Sequence, residues 1–476
     1  MSELERRGGN DMSYRLSAGT NVVSTLVVLT AGLLSVTLLL AMVAPVLPLF
    51  TERFGTTQAT TSWVMTSYMV SASVATPIVG RLGDRYGKRI FISASLAIVS
   101  AGSLVALFAD SIGVLIFARA MQGLGGGLIP LTFSVIRERL DARSAKRAFG
   151  AAAATMAVGN GMGVMVAGPL VEGLGYEWLF AVPAVCTFVA AVAAIRVVQP
   201  SPANHHVGRV RLVPTLLLSA WLTLALIAVS QGPQWGWSSL RLMVLVAMSI
   251  VGCVVWCRLE LRSMTPLIDL RMMTSRSVGP INFSSVMLAL SMYPFVVLIP
   301  ALLQAPVDTD YGLGASLTDV GVVLAAEAIV SLVTSAIAGV LATRVGWRIL
   351  FLVGNGLTCV GYLVLSVAHH NIWHITVASA ILGAAIGLSF ASMTGLTIDA
   401  VPNHMTGVAS GVNANLRTIG GAAGIAITAA IVSADVEPSG YSSGTAYTIS
   451  FLLLFAFAGI ATVSAAFITD SPETKR

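Results

Sequence analysis

Long apolar segments alternate with short polar ones along almost the whole chain. The apolar segments are about 20 residues long and lack the period of two that is typical of β-strands. A helix needs about 20 apolar residues to cross the hydrocarbon of a bilayer. The pattern therefore predicts fourteen membrane-spanning helices, at residues 24–50, 59–80, 90–108, 112–136, 149–171, 178–198, 212–230, 241–257, 280–303, 317–341, 349–368, 372–398, 407–433 and 447–468.

Lysine and arginine are concentrated in every second gap between these segments. Arg53 and Arg241 lie in the other gaps, and Arg119 and Arg417 lie within apolar segments. Loops rich in Lys and Arg stay on the cytoplasmic side of a membrane. Both termini are therefore predicted to be cytoplasmic. A missed or an extra helix would invert every later loop, so the distribution favours an even number of spans.

One short motif occurs twice. GRLGDRYGKRI at residues 80–90 and GVLATRVGWRI at residues 339–349 align without gaps and share six of eleven positions. Both copies follow an even-numbered span, and they lie eight spans apart. The two halves are therefore predicted to run parallel, as in one architecture of alternating-access carriers. The fold class that follows is an all-α polytopic membrane protein with two six-helix bundles and an inserted pair, a 6+2+6 arrangement.

This arrangement divides the chain into six parts. They are a cytoplasmic tail at 1–23, an N-terminal six-helix bundle at 24–198, a linker with the inserted pair at 199–257, a cytoplasmic linker at 258–279, a C-terminal six-helix bundle at 280–468 and a tail at 469–476.

Composition excludes most soluble classes of protein. Hydrophobic residues make up 56% of the 476 positions, charged residues 10%, and the mean hydropathy is +0.86. Soluble domains carry about 25% charged residues, so a large soluble globule is excluded. The net charge of +6 is dispersed rather than gathered into a patch, and no nucleic-acid partner is expected. The four cysteines lie within apolar runs, which favours packing over metal binding.

Several motifs resemble those of a known family. The loop GRLGDRYGKR resembles the signature between helices two and three of the major facilitator superfamily, and RAMQGLGGG at 119–127 resembles its fourth-helix motif. Four further stretches resemble its fourteen-helix drug:proton antiporter branch: WVMTSYMV at 63–70, QGPQWGWSS at 231–239, PLIDLR at 266–271 and SGVNANLRTIGGAAG at 410–424. The resemblance covers residues 24–468. It implies a multi-pass plasma-membrane protein that exports drugs and dyes in exchange for protons.

The chain departs from that branch at two places. The branch usually carries an aspartate in helix one, where this chain has Leu39. In the helix-five motif Gly168, Pro169 and Gly173 match, but Glu172 replaces a glycine. The resemblance still implies a transporter, while two of its usual coupling markers are altered.

Two charged residues within apolar segments are the candidates for proton coupling. Glu327 is the carboxylate most deeply placed in an apolar run, and a proton-coupled carrier needs a group that loads and releases protons. Arg119 is expected to line the cavity and to influence a protonation site, as the resemblance implies. The alternatives are a neutral structural glutamate and a structural arginine that contacts a carboxylate or carbonyl groups.

The repeated loop is the candidate cytoplasmic gate. Its members are Gly80, Asp84, Arg85, Gly87 and Arg89. In this hypothesis Asp84 holds an arginine or a helix N-terminus in the outward-facing state and releases it otherwise. The alternative is a charged loop that only sets topology. Asp84 corresponds to Thr343 in the second copy, so a latch would be asymmetric.

Other residues are predicted from their position in apolar segments. Gly163, Gly168 and Pro169 let helix five pack tightly and bend, and the resemblance implies that they form its hinge. Arg417 is a cavity residue or a structural one, and both interpretations stay open. The remaining candidates for the substrate cavity are polar or aromatic: Tyr68, Gln122, Asn160, Asn282, Tyr293, Asn413 and Asn415. The alternative for each of them is a polar contact between helices.

The predicted function is export of amphipathic small molecules by proton antiport and alternating access. The expected partners are such molecules, protons and the lipid bilayer, and the protein is expected to be a monomer without cofactor or metal. The alternative is a dedicated exporter of an endogenous lipid or secondary metabolite that is not coupled to protons. An enzyme is disfavoured, because no nucleophile with a base and no metal cluster lies at membrane depth.

Overall fold

The computed structural model describes residues 3–200, 212–236, 238–263, 266, 268–309, 311–402, 405–434 and 442–468. For residues 3–22 it describes the helical backbone. The predicted tail at 469–476 and residues 201–211 of the predicted linker fall outside the described part.

The first half of the chain forms helices joined by short turns. They are α1 (Glu3–Val43), α2 (Leu47–Arg53), α3 (Gln58–Tyr86), α4 (Lys88–Leu107), α5 (Ile112–Gly123), α6 (Leu128–Arg139), α7 (Ala142–Leu174) and α8 (Trp178–Val197). Short 3₁₀ turns at Ala44–Val46 and Leu124–Gly127 connect α1 to α2 and α5 to α6. Each of these two helix pairs therefore corresponds to one predicted span.

The rest of the chain continues in the same way. Two long helices and a short one follow first: α9 (Leu212–Trp235), α10 (Leu240–Leu261) and α11 (Leu270–Met273). The remaining helices are α12 (Gly279–Met292), α13 (Phe295–Gln304), α14 (Leu317–Val345), α15 (Trp347–Val367), α16 (Ile372–Asp399), α17 (Thr406–Ala434) and α18 (Gly444–Ala466). The α12–α13 pair is interrupted at Tyr293 and Pro294 and follows one predicted span.

Within the described residues, eleven helices are long and apolar enough to cross a membrane. The number is twelve when the two parts of α7 count as one span. The molecule is thus all-helical with multiple candidate spans, whereas the count of fourteen and the 6+2+6 arrangement stay predictions. The helix α1 starts at Glu3, well inside the segment that the sequence predicts as a tail.

Local chemistry explains where several helices begin. The Ser111 and Asn371 side chains accept backbone N–H groups in the first turns of α5 and α16. Ser316 and Asp319 form a reciprocal capping box at α14. Asp141 caps α7, and hydrogen bonds from Ser144 and from the Arg143 amide lower the pKa of its carboxyl group.

The helices pack into two groups that touch each other. In the first group α1 packs on α7 and α8, α4 packs on α8, and α3 packs on α5. In the second group α14 and α15 pack on α16, and α12 packs on α17 and α18. The main contacts between the groups are α7 with α14 and α3 with α17. We call the groups the N-terminal and C-terminal bundles.

Large apolar side chains remain exposed along the outside of the helices, for example Phe117, Val185 and Val333. In water such a surface would aggregate, but a bilayer solvates it. The exposed apolar belt therefore agrees with a chain whose solvent is lipid.

Candidate functional site

The two copies of the repeated motif occupy equivalent places between the bundles. In the first copy, a methyl group added at Gly80 of α3 would lie 3.0 Å from the carbonyl oxygen of Gly407, in the first turn of α17. In the second, a methyl group added at Gly339 of α14 would lie 2.8 Å from the carbonyl oxygen of Lys146, in the first turns of α7. Only glycine permits backbones to come this close.

The helix junctions after these glycines are also equivalent. Gly87 ends α3 with a φ of 106°, and Gly346 ends α14 with a φ of 81°. Both values lie in the region that favours glycine, and in each case a new helix starts at the next residue. The two copies therefore share a glycine at two positions for steric reasons. Gly80 and Gly339 permit close approach of helices, and Gly87 and Gly346 permit a positive φ. We call the face of the molecule that carries these junctions the basic side; it is the face predicted to be cytoplasmic.

Asp84 lies at the crossing of α3 and α17. Its Oδ1 accepts a hydrogen bond from the Ser134 hydroxyl at 3.2 Å and lies 3.9 Å from Lys88 Nζ. Its Oδ2 is buried without a hydrogen-bond partner and would lie 2.9 Å from a methyl group added at Gly407. The carboxylate therefore faces the N-terminal turn of α17, where a helix favours negative charge.

The other members of the predicted gate have different surroundings. The Arg85 guanidinium stacks on Tyr86, with its carbon 5.1 Å from the ring centre. Arg89 is half-buried and makes no hydrogen bond or ion pair to a described residue. The approaches to the first turn of α17 that the structure describes for this motif are those of Gly80 and Asp84.

Arg137, which the sequence marks only as a topological charge, connects the bundles directly. It lies at the end of α6 and donates hydrogen bonds to the carbonyl of Ile398 and to the Thr406 hydroxyl, the latter at 3.0 Å. These acceptors lie at the last turn of α16 and the first residue of α17. No sequence signal separates Arg137 from its basic neighbours, because its partners are more than 250 residues away.

Arg119 is fully buried inside the N-terminal bundle. Its Nε donates to the carbonyl of Val64 at 3.2 Å, one terminal nitrogen donates to Gln122 at 2.7 Å, and the guanidinium carbon lies 4.6 Å from the centre of the Tyr68 ring. Gln122 in turn donates to Ser103 at 3.0 Å. In this conformation Arg119 has no exposed surface, and Tyr68 and Gln122 are its partners. A cavity-lining role for these three residues stays a prediction.

Three of the predicted cavity asparagines are also buried in contacts between helices. Asn282 of α12 and Asn413 of α17 form a polar cluster with Ser285, in which Asn413 donates to the serine at 2.9 Å. Asn415 donates to the carbonyl of Ser73 on α3 at 2.6 Å, across the two bundles. These residues stabilise helix contacts and offer no free surface to a ligand.

The other predicted residues keep accessible surface. Asn160 is exposed on α7, and its neighbours Gly159 and Gly161 face α1 and α14 respectively. Tyr293 and Arg417 are half-buried, and the Arg417 guanidinium carbon lies 5.2 Å from the centre of the Phe390 ring. These groups are the polar surface that the structure leaves open to a ligand.

Glu327 is half-buried on α14. Its backbone lies against Gly383 of α16. No described residue forms a hydrogen bond or an ion pair with this carboxylate. The group is therefore free to exchange a proton with any water that reaches it.

The predicted hinge in helix five coincides with a bend. The segments Arg143–Gly163 and Met165–Leu174 meet at 44°. Gly163 lies against Ala41 of α1, whereas nothing lies within 4 Å of a methyl group added at Gly168. Pro169 removes one backbone hydrogen bond near the bend. A hinge motion at these residues stays a prediction.

An apolar cleft of about 480 Å³ lies between α9 and the half of α17 that is distant from the basic side. Its walls consist of alanine, valine and isoleucine, including Val229, Ala426 and Ile431. Within the described residues no cluster of His, Cys, Asp and Glu could hold a metal ion.

These features define a class of protein: a polytopic helical membrane protein whose two bundles touch at small-residue crossings on one face. Comparison with known families identifies it further. The family profile described as Major Facilitator Superfamily matches residues 29–307 and 281–476. The chain belongs to this family of transporters and is not an enzyme.

Curated relatives include drug-resistance proteins. The chain is 28% identical to the multidrug resistance protein Stp of Mycobacterium tuberculosis over 421 residues, which cover 87% of this chain and 77% of the relative. It is 25% identical to the methylenomycin A resistance protein of Bacillus subtilis over 460 residues, which cover 94% and 97%. It is 23% identical to the multidrug transporter protein MdtP of Bacillus subtilis over 380 residues, which cover 78% and 68%.

Among solved structures, the human organic anion transporter MFSD10 (TETRAN) has a similar fold. The two superpose with a TM-score of 0.64 over 91% of this chain and 99% of that one, at 14% sequence identity. This likeness concerns the fold alone.

Proposed function

We propose that this protein is a secondary active transporter of the plasma membrane that exports amphipathic small molecules, such as drugs and dyes, by proton antiport. Two relatives over most of the chain carry multidrug names and a third is named for resistance to methylenomycin A, which supports this substrate class. In this proposal fourteen helices form two six-helix bundles with an inserted pair, both termini are cytoplasmic, and the monomer is the working unit.

The observation that carries the proposal is the set of contacts between the bundles on the basic side. Asp84 faces the first turn of α17, and Arg137 donates to the Ile398 carbonyl. These contacts are polar, few and at the surface of the membrane, so water can replace them when the bundles separate. Breaking them would open a path to the cytoplasm, which is what alternating access requires.

Glu327 is the proposed proton site. It is a carboxylate within a membrane span, and it has neither a hydrogen bond nor an ion pair within the described residues. Carboxylates in such surroundings commonly mark proton paths. Binding of a proton would neutralise the group and favour one orientation of the bundles over the other.

A second function is favoured by one specific observation. Leu39, at the place where the antiporter branch usually has an aspartate, is fully buried in the core of the N-terminal bundle. The chain therefore has no acid at that site. A dedicated exporter of an endogenous lipid or secondary metabolite without proton coupling is the alternative function.

Transport in inside-out vesicles tests the proposal. With an acidic vesicle interior, we expect the wild type to accumulate amphipathic dyes. In Glu327→Gln the gradient-driven uptake should be at least tenfold lower, because glutamine binds no proton. Dye exchange without a gradient should persist in the variant. Glu172→Gln, which removes an exposed carboxylate at the far end of α7, is the matched control and should behave as the wild type does.

Two outcomes contradict different parts of the proposal. If Glu327→Gln follows the pH gradient as the wild type does, Glu327 is not the proton site. If the wild type moves dyes with no response to any gradient, the protein is not an antiporter and the uncoupled alternative is favoured.

A further inference from the structure

Two arginines lie within membrane-spanning helices, and their surroundings differ. Both stack on an aromatic ring: Arg119 on Tyr68 at 4.6 Å and Arg417 on Phe390 at 5.2 Å. Each of the three guanidinium nitrogens of Arg119 donates to a partner, namely the Val64 carbonyl, Gln122 and Met65, and the residue has no exposed surface. All of these partners belong to the N-terminal bundle.

Arg417 has no such set of partners. Its Nε is buried and makes no hydrogen bond, and none of its nitrogens donates to a described residue. No described carboxylate forms an ion pair with it, Glu327 included. Its guanidinium lies over the Phe390 ring, and the Tyr293 ring packs against Gly421, one turn further along α17. A guanidinium has five N–H donors in a planar fork, so this charge is available to an external acceptor.

The position of Arg417 places this charge deep in the membrane. It follows Thr406, the first residue of α17, by eleven positions, which is about 16 Å along a helix. A charge exposed to hydrocarbon at this depth is costly. The residue keeps part of its surface accessible, and contact of its charge with lipid at this depth would be unfavourable.

The neighbouring residues of α17 show which space this is. Asn413 faces α12, and Asn415 faces α3 of the N-terminal bundle. Successive helical positions are separated by about 100°, so Arg417 lies about 200° from Asn415, on the side where Phe390 and Tyr293 project from α16 and α12. Arg417 therefore lies on the side of α17 that faces α12 and α16.

We propose that Arg417 is an anion-binding subsite that recognises the carboxylate or a similar oxyanion of the exported molecule. The proposal rests on the export function above and assigns its substrate class: amphipathic organic anions with an aromatic or apolar body. The planar fork pairs with two oxygens of the anion. Phe390 holds the guanidinium in place by stacking, and the Tyr293 ring is available to the apolar body of the substrate.

Two probes with the same ring system test this assignment. They are naphthalene carboxylate and naphthalene trimethylammonium, an anion and a cation. Binding to the purified full-length protein in detergent gives the dissociation constants, and vesicle uptake gives transport. For Arg417→Gln we expect carboxylate binding to weaken on the order of ten- to hundredfold, since a hydrogen-bonded charge pair is lost, while binding of the cation is unchanged or tighter.

Two further variants separate recognition from folding. Arg417→Lys keeps the charge without the fork, so it should weaken carboxylate binding less than glutamine does and leave the cation unaffected. Asn160→Ala removes a neutral polar group from the exposed face of α7 and should change the binding of both probes by similar factors. Thermal unfolding of each purified variant identifies any that do not fold, and the lysine variant then carries the test.

The possible results distinguish this proposal from the proposed function. Selective loss of the carboxylate probe supports the subsite. Equal loss of both probes, or no loss of the carboxylate, overturns it. Uptake of the cation but not of the carboxylate by the wild type overturns the anion assignment and leaves export intact. Uptake of neither probe nor of any other amphipathic dye overturns the proposed function, and the subsite with it.

Discussion

Tyr68 and Phe390 each hold an arginine guanidinium over the face of the ring, yet the two arginines are not equivalent. The sequence places both within apolar segments. In the structure, Arg119 is fully buried and donates to acceptors of its own bundle, whereas Arg417 has N–H groups that make no hydrogen bond to a described residue. At the scale of the residue, the number of satisfied hydrogen bonds distinguishes a structural charge from one that can bind a ligand.

The structural role of Arg119 leads to a prediction about stability. Arg119→Met leaves the side-chain oxygen of Gln122 without its donor, removes one of the donors to the Val64 carbonyl and removes the contact with Tyr68. Because buried groups without partners cost about 1–3 kcal/mol each, we expect the free energy of unfolding to fall by about 2 kcal/mol or more. Thermal or denaturant unfolding of the purified protein in detergent measures this change.

Arg89→Met is the control, since Arg89 is half-buried and has no described hydrogen-bond partner. Its free energy of unfolding should stay within about 0.5 kcal/mol of the wild type. Equal stability of Arg119→Met and the wild type would contradict the structural role of Arg119.

At the scale of the helix, glycine sets how closely the bundles approach on the basic side. Gly150 of α7 lies against Gly339 of α14, and Gly80 of α3 lies against Gly407 of α17. At these crossings the two copies of the repeat share the glycine, Gly80 or Gly339, whereas Asp84 of the first copy corresponds to Thr343 of the second. The charged positions of the repeat differ more, because only the first copy places an aspartate against a helix N-terminus.

Gly150→Val tests the role of the α7–α14 crossing. A methyl group at this position would lie 2.6 Å from the Gly339 Cα atom, so the bulkier valine forces the two helices apart. We expect uptake of amphipathic dyes to fall at least tenfold, because the basic side no longer closes. Vesicle uptake, normalised to the amount of folded protein, measures the effect.

Gly173→Val on the same helix provides the comparison. No atom lies within 4 Å of a methyl group added there, so uptake should stay within about twofold of the wild type. Similar uptake by Gly150→Val and Gly173→Val would show that close packing at Gly150 is not needed for transport.

At the scale of the whole molecule, the described hydrogen bonds between the bundles lie at two levels, one near the middle of the helices and one at the basic side. The pair Asn415 and Ser73 lies near the middle of α17 and α3, and the Arg137 contacts lie at the membrane surface. A transporter that opens on the basic side must break both sets. Arg137 is the most accessible of them and connects α6 to the ends of α16 and α17.

Arg137→Gln tests the connection between α6 and the ends of α16 and α17. Arg137→Gln is too short to reach both the Ile398 carbonyl and Thr406, so we expect the basic side to open more often. A cysteine in place of Ser410, which is buried on α17, reports the opening. Its rate of modification by a thiol reagent should rise at least threefold in the Arg137→Gln background, with the native cysteines replaced.

Arg139→Gln is the matched control. Arg139 lies two residues away and bonds to Gln199 and Pro200 within its own half of the chain, so the labelling rate should not change. If both variants label Ser410→Cys at the wild-type rate, Arg137 does not hold the bundles together.

The sequence predicted those parts of the site that depend on local constraints. Gly87 and Gly346 are recognisable because a positive φ requires glycine at each helix junction. Glu327 and Arg417 are recognisable because a charge within an apolar run is rare. Asp84 is recognisable because it lies in a motif with a known pattern.

Residues defined by distant partners were not predictable. The role of Arg137 depends on a carbonyl at Ile398, and a backbone acceptor leaves no mark in the side-chain sequence. The same limit explains why Tyr68 and Gln122 were expected in a cavity: nothing in the sequence states that Arg119 occupies them.

By itself, the sequence determined that the chain is a bundle of long helices in lipid, because apolar length and charge spacing follow from the thickness and the electrostatics of a bilayer. It also determined the two glycine motifs and the few charges at membrane depth. Only the tertiary structure decided which charges are satisfied and which are free, since a hydrogen bond depends on distances of about 3 Å between groups far apart in the chain. Arg119 and Arg417 are alike in the sequence and differ in the folded protein for this reason.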